Sequence, residues 1–227
     1  MFSFPLFAKY FHPSKSRIPL PVWLLHLQTC GILNCDMDFS SSRQWINALW
    51  LLFGAYWLVS ALKRKKTKQR ETFLQRFGYV LPLALGFYLL SQPQARHGWL
   101  GSRFVPAGPF GEWLGVLLTA AGIGVAFWAR WHLGSNWSGT VTLKEGHELI
   151  RTGPYRSIRH PIYTGILLGI LGTAITFGEI RTLLMVAIVW LSFYIKARRE
   201  ESFLSQEFGA RFAEHKQHTG MFLPRFS

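Results

Sequence analysis

The 227 residues carry a net charge of +14 and are 49% hydrophobic, with apolar residues gathered in blocks and not spread as helical or strand stripes. Blocks of that kind exclude an ordinary soluble domain and mean a bilayer. The basic residues sit at the ends of the blocks and not on a soluble face, which excludes a nucleic-acid partner and leaves membrane orientation and anionic headgroups as the meaning of the charge.

In chain order, the first 43 residues are the least regular. Ile18 to Leu33 is apolar enough for a sixth span or an interfacial helix, but Pro19, Pro21, His26 and Gln28 argue against a regular crossing. The segment lacks the small-residue cleavage pattern of a signal peptide. Cys30 and Cys35, the two cysteines, have no Cys or His partners at metal spacing, so neither a zinc site nor a disulfide framework is expected.

Five apolar blocks follow: Trp45 to Leu62, Phe77 to Leu90, Trp113 to Trp131, Ile162 to Phe177 and Ile180 to Ile195. They predict an all-α integral membrane protein of about five transmembrane helices, with residues 44–133 forming the first three and 134–227 a functional core. Lys and Arg cluster after the first, third and fifth blocks, whereas the two intervening loops hold Arg96, Arg103 and Arg181. By the positive-inside rule the basic ends, the C-terminal part included, face the cytoplasm. The run from Lys63 to Arg70 is read as a topology signal.

Between the third and fourth blocks, Lys144 to Arg156 is too polar to cross and is punctuated by Gly and Pro, so it predicts a structured cytoplasmic loop. Pro161 suits the first turn of a helix, whose exposed amides favour an anionic group. Gly165, Gly169 and Gly172 leave one face of the fourth helix nearly bare and predict close packing, with the fifth helix as the expected neighbour. Both hairpin helices are short, about 16 residues or about 24 Å against a hydrocarbon thickness of about 30 Å, and are expected to extend into the interface.

That extension carries Lys196, Arg198, Arg199, Glu200 and Glu201. Lys196 and Glu200 share a helical face, close enough to pair or to hold two ends of a ligand. Glu201 points about 100° away, so the two acids are not equivalent. Leu204, Phe208 and Phe212 recur every four residues and predict an amphipathic helix covering the site. Plainer readings stand beside these: His160 as a helix cap, Lys196 as a snorkelling cation, and Arg156 and Arg159 as binders of lipid phosphate or of substrate.

Gly153-Pro154-Tyr155, Arg159-His160-Pro161-Ile162-Tyr163-Thr164-Gly165, Glu200-Glu201, Phe208-Gly209 and Pro224 together resemble the isoprenylcysteine carboxyl methyltransferase and phospholipid methyltransferase group of integral membrane enzymes. The resemblance covers the chain from about His147 onward. It implies S-adenosyl-L-methionine as cofactor, in a cytoplasmic pocket formed by the loop, the hairpin and the tail. His147, Glu148, Leu149 and Ile150 would line it with Tyr155 nearby; His160, Pro161, Ile162 and Tyr163 would form the other wall. Glu200 would hold the cofactor's ammonium, with Glu201 beside it, and Arg159, His160 and Lys196 would serve the reaction. Lys196 stands where the carboxyl methyltransferases have an arginine, and a lysine lacks the bidentate fork that grips a carboxylate. Phe212 and His215 stand where relatives often carry tyrosines.

Methyl transfer from a sulfonium requires no metal and no covalent nucleophile; the protein mainly positions two partners and excludes water. A carboxylate acceptor needs no general base, while a protonated amine must first lose a proton, for which His160 or Glu201 is available. The expected acceptor is lipid-linked or amphiphilic, by isoprenylcysteine-type O-methylation, with N-methylation of an aminophospholipid as the alternative. Two other classes stand further off. A sterol-type reductase would carry a His- and Tyr-rich tail suited to NADPH, and a non-catalytic membrane protein or transporter would bury its charges near the midplane.

Overall fold

The computed structural model describes residues 41–60, 67–70, 72–134, 137, 142–144 and 149–225. The segment 18–33, both cysteines, His147 and Glu148 lie outside the described residues.

Six α-helices lie among the described residues: α1 Ser42–Ser60, α2 Phe73–Ser91, α3 Pro109–Leu133, α4 Pro161–Phe177, α5 Ile180–Phe208 and α6 Ala210–His218. The first five fall on the five apolar blocks. Helices α3 and α5 are long and apolar enough to cross a membrane, and shorter apolar stretches run through α4 and Phe77–Tyr88. Large apolar side chains stand out from several helices, among them Leu51 and Leu58 of α1, Phe87 of α2, Leu117 of α3 and Trp190 of α5. So wide an exposed apolar surface belongs against lipid, which makes this an integral membrane protein. A short antiparallel ribbon joins the class unannounced: β1 Thr67–Arg70 pairs with β2 Thr142–Lys144.

Helices α3 and α4 form the core of the bundle. Pro109 at the first turn starts α3, and Gly134 closes it with φ 53°. Where the two helices cross, Gly115 and Gly122 of α3 meet Gly165, Gly169 and Gly172 of α4 almost backbone to backbone. A Cβ on Gly165 would lie 2.5 Å from the Gly122 carbonyl oxygen and 2.6 Å from the Ala126 nitrogen. Thr119, fully buried, fills the remaining space and donates to the carbonyls of Gly115 at 2.9 Å and Gly169 at 3.1 Å. The bare face of α4 therefore meets α3 and not α5, the sequence neighbour expected for it. The reason is complementarity: α3 offers its own small residues at matching positions, whereas the facing part of α5 is Leu- and Ile-rich.

The outer helices are tied to this pair. Trp50 of α1 donates its indole N–H to Thr173 at 3.0 Å, and Phe53 and Tyr56 pack on Phe127. At the end opposite the charged cluster, Gly178 takes φ 69° in the short α4–α5 turn. Arg103 donates there to the Phe177 carbonyl at 3.1 Å. Helix α5 runs on past its apolar stretch, as anticipated from the short block, and reaches Phe208. The single amphipathic helix expected through Leu204, Phe208 and Phe212 is two helices, because Gly209 adopts φ 50° and turns the chain between α5 and α6.

Candidate active site at one end of the bundle

The residues Arg159 to Tyr163 and Lys196 to Glu201 are brought together where α4 begins and α5 leaves its apolar stretch. His160, 7% exposed, is the N-cap of α4, but it makes no side-chain cap bond. Its imidazole instead lies between the two acids: Nδ1 is 3.5 Å from a Glu200 oxygen and Nε2 is 3.5 Å from a Glu201 oxygen. The capping role read from sequence is thus replaced by a charge role. Consecutive acids on a helix point about 100° apart, and that divergence lets one imidazole touch both.

Each acid then has its own partners. Tyr163, one turn into α4, donates its hydroxyl to Glu200 at 2.7 Å, and its ring stacks on His160 at 5.4 Å and on Phe193 at 4.7 Å. Lys196 sits 5.3 Å above the Tyr163 ring, one helical turn from Glu200. Glu201, 3% exposed, accepts from Arg159 Nε at 2.7 Å and lies 3.3 Å from Lys216 Nζ. Arg159 also donates to the carbonyl of Thr219. The arginine offered by sequence for substrate or lipid phosphate is therefore committed to holding the tail against α5.

The tail completes the clamp. The amides of Arg159 and His160 donate to the carbonyls of Gly220 at 2.9 Å and Met221 at 3.1 Å, and Thr164 donates to the Phe222 carbonyl at 2.7 Å. Those two amides, which precede the first turn of α4, are occupied by the chain itself. Arg151 reaches across to Glu214 at 3.3 Å and to the Arg211 carbonyl, which fixes α6 over the site.

Beside the clamp a pocket opens, lined by Leu133, Leu149, Ile150, Tyr155, Arg159, Leu204, Phe212 and His215. Leu149, Ile150 and Tyr155 were expected there; His160, Pro161, Ile162, Tyr163, Glu200 and Glu201, also expected, do not line it, and Pro161 and Ile162 are buried in the first turn of α4. Burial and the Glu200 charge push the Tyr155 phenol well above its ordinary value, so it stays a neutral donor. His215 is pushed down, chiefly by burial and by Arg151 and Arg159, and stays neutral at the pocket wall.

Three contributors escaped the sequence reading. Arg130, 4% exposed, donates to the carbonyls of Gly134 and Ser60 at 2.7 Å each and stacks on Trp137, so it closes the ends of α1 and α3 beside Tyr155. An arginine inside an apolar block was the available signal. Lys216 and Thr219 carried none beyond their polarity.

Electrostatics of the triad give a pH expectation. Burial pulls the His160 imidazole toward neutrality, but hydrogen bonding and charge from Glu200 and Glu201 outweigh it and raise its pKa above the ordinary 6.5. Arg159 and His160 overcome burial at Glu201, which lies beyond the apolar stretch of α5, and hold its carboxyl down to about 2. A raised folded-state value means that the ion pairing contributes fully below the unfolded imidazole value and is lost as pH rises through the raised one. The stability gap between the native protein and His160→Gln should therefore shrink steadily on alkaline titration above about pH 6.5, the ordinary imidazole value. Thermal melts of both proteins in a neutral detergent across pH 6 to 10 check this; a gap that widens with pH contradicts it.

A helical membrane protein with a paired-carboxylate site at one end of its bundle, flanked by an apolar pocket, is the class that fold and site define. Comparison with known proteins makes it specific. Residues 110–211 match the phospholipid methyltransferase family. A probable protein-S-isoprenylcysteine O-methyltransferase of Oryza sativa is 33% identical over 84 residues, which cover 36% of this chain and 44% of that protein. The protein-S-isoprenylcysteine O-methyltransferase of Saccharomyces cerevisiae is 30% identical over 114 residues, 49% of this chain and 48% of that one. The cobalt-zinc-cadmium resistance protein CzcN of Cupriavidus metallidurans is 32% identical over 120 residues, 52% and 54% respectively. A solved structure of the eukaryotic intramembrane Ras methyltransferase ICMT aligns with a TM-score of 0.47 at 21% identity, covering 68% of this chain and 53% of that one. The chain spans about half the length of the curated relatives it matches.

Proposed function

We propose that the protein is an S-adenosyl-L-methionine-dependent methyltransferase of the membrane whose acceptor is an amphiphile bearing a carboxylate, as in protein-S-isoprenylcysteine. The observation that carries the reading is Glu200, which is held at 2.7 Å by Tyr163, is flanked by His160 and acts by its charge on Tyr155 in the wall of an apolar and aromatic pocket. That donor set fits the cofactor: a carboxylate for its cationic end, and Leu149, Ile150, Phe212 and His215 for its apolar and heteroaromatic end. When bound, the cofactor supplies an electrophilic methyl group on a sulfonium.

The chain's own groups do the positioning. Tyr163 orients the Glu200 carboxylate, and His160 keeps both acids in place. Lys196, stacked on Tyr163, stands near enough to Glu200 to bring an anionic acceptor alongside. Helix α6 and the tail shut out water, so the charges act in a low-dielectric setting where alignment counts most. The Lys and Arg residues at this end orient it to the cytoplasm by the positive-inside rule.

One observation favours a second acceptor. His160, buried between Glu200 and Glu201, takes a proton from an amine only in its neutral form, above its raised pKa, so N-methylation of an aminophospholipid is favoured in that alkaline range. Incubating membranes with methyl-labelled donor separates the two, since ester label is lost in base and amine label is not.

The reading as a whole is tested by S-adenosylhomocysteine binding to the purified protein in detergent. Glu200→Gln, which keeps shape and removes charge, should weaken it by about tenfold, the worth of one charge-assisted hydrogen bond. Equal affinity in the two proteins would mean that the pocket lies elsewhere.

A further inference from the structure

The donor site leaves one cation of α5 unused. Arg199 follows Lys196 by three residues, so the two share a side of the helix, and that side faces α2. Both lie over the same ring: Lys196 Nζ and the Arg199 guanidinium carbon are each 5.7 Å from the centre of Tyr79. Room for the guanidinium comes from the absent side chain of Gly78, where a Cβ would lie 2.8 Å from Arg199 Nη2.

Arg199 Nη1 is buried and has no hydrogen-bond partner among the described residues. A guanidinium is always charged and carries five donors, so a buried idle donor is costly unless something comes to it. Two other arginines of this end have partners for their terminal nitrogens or Nε: Arg159 Nε with Glu201, and Arg130 Nη1 and Nη2 with two carbonyls. Both helices also expose apolar side chains, Phe77, Val80 and Leu81 on α2 and Leu191 and Tyr194 on α5.

We propose that Arg199, cradled by Gly78 and Tyr79 and seconded by Lys196, binds the anionic group of an amphiphilic acceptor that enters between α2 and α5. This rests on the methyl-transfer reading and names what that site selects: a carboxylate or phosphate on an apolar chain. The fork geometry that Lys196 lacks is supplied one turn further along the same helix face. Tyr163 touches both Lys196 and Glu200, so an anion held there lies beside the carboxylate assigned to the donor.

The test uses the full chain in a neutral detergent, with dodecanoate and dodecyl phosphate as probes, and methyl dodecanoate and inorganic phosphate as controls. Arg199→Gln should weaken both chained anions by about tenfold or more and leave the uncharged ester unaffected. Arg199→Lys should restore part of the loss. Gly78→Val, which displaces the guanidinium without removing it, should reproduce the loss. Unchanged anion affinity in Arg199→Gln overturns the proposal, as does inorganic phosphate binding as tightly as dodecyl phosphate. S-adenosylhomocysteine stabilisation, measured on the same samples, keeps the two ideas apart. If it persists while the anion result fails, only the acceptor assignment falls; if it is absent in the native protein, the methyl-transfer reading falls by itself.

Discussion

Glu201→Ala lowers the stability of the folded protein by about 3–5 kcal/mol, the cost of removing one partner from a buried ionic network. Three cationic groups converge on this carboxylate: Arg159 at 2.7 Å, His160 at 3.5 Å and Lys216 at 3.3 Å. The carboxylate is 3% exposed, so water does not replace it when it is deleted. Loss of the acid leaves Arg159 and His160 facing each other at the mouth of α4 with only Glu200 nearby. Because Arg159 also holds the Thr219 carbonyl, α6 and the tail loosen with it. Two measurements follow the effect: the denaturation midpoint in detergent, and the rate of limited proteolysis around Gly209 and Thr219. Glu201→Gln, which keeps the shape and an acceptor oxygen, should fall between the native protein and the alanine variant. A cost below about 1 kcal/mol, the range of exposed ion pairs, would mean that the cluster is solvated.

The second large effect lies in the middle of the bundle. Gly165→Ala is expected to cost at least about 3 kcal/mol, the upper end of what extra atoms in a filled core cost. The added methyl meets the Gly122 carbonyl and the Ala126 amide, and backbone atoms cannot turn aside as a side chain can. The two helices must therefore separate along their whole crossing, and Thr119 loses its reach to Gly169. Gly124→Ala is the matched control, on the same helix as Gly122 with nothing within 4 Å of the new methyl. It should be neutral or stabilising by up to about 1 kcal/mol, since alanine is the better helix former. Comparable destabilisation in the two variants would show that glycine acts through flexibility and not through contact.

Several of these features were legible in the residues alone. The five apolar blocks coincide with α1 to α5 because a hydrophobic stretch is its own signal and needs no partner to be recognised. Tyr163 and Glu200 meet because two short segments at the open end of a hairpin have few other places to go. What escaped depends on relations between distant segments. The glycine face of α4 could not name its partner, since the two-residue turn pointed to α5 and the matching small residues of α3 lie about fifty positions away. The break at Gly209 was hidden by a four-residue apolar spacing that runs straight through it, although only a glycine takes that positive φ without strain. Arg159 looked free for a ligand because its claimants, Glu201 and Thr219, are respectively 42 and 60 residues downstream.

Those sixty residues also govern when the site can exist. A ribosome delivers the mouth of α4 well before the segment that fastens it, so Arg159 and His160 emerge with no acid opposite them. Closing so long a loop carries an entropic charge that local hairpin contacts do not, and the slowest contacts to form in a chain are those joining remote positions. The glycine-lined crossing can therefore form first, and the clamp around Glu200 and Glu201 closes last, when the segment from Lys216 to Phe222 docks. A nascent chain interrupted before Thr219 would sit correctly in the bilayer and still be unable to assemble its acidic pair.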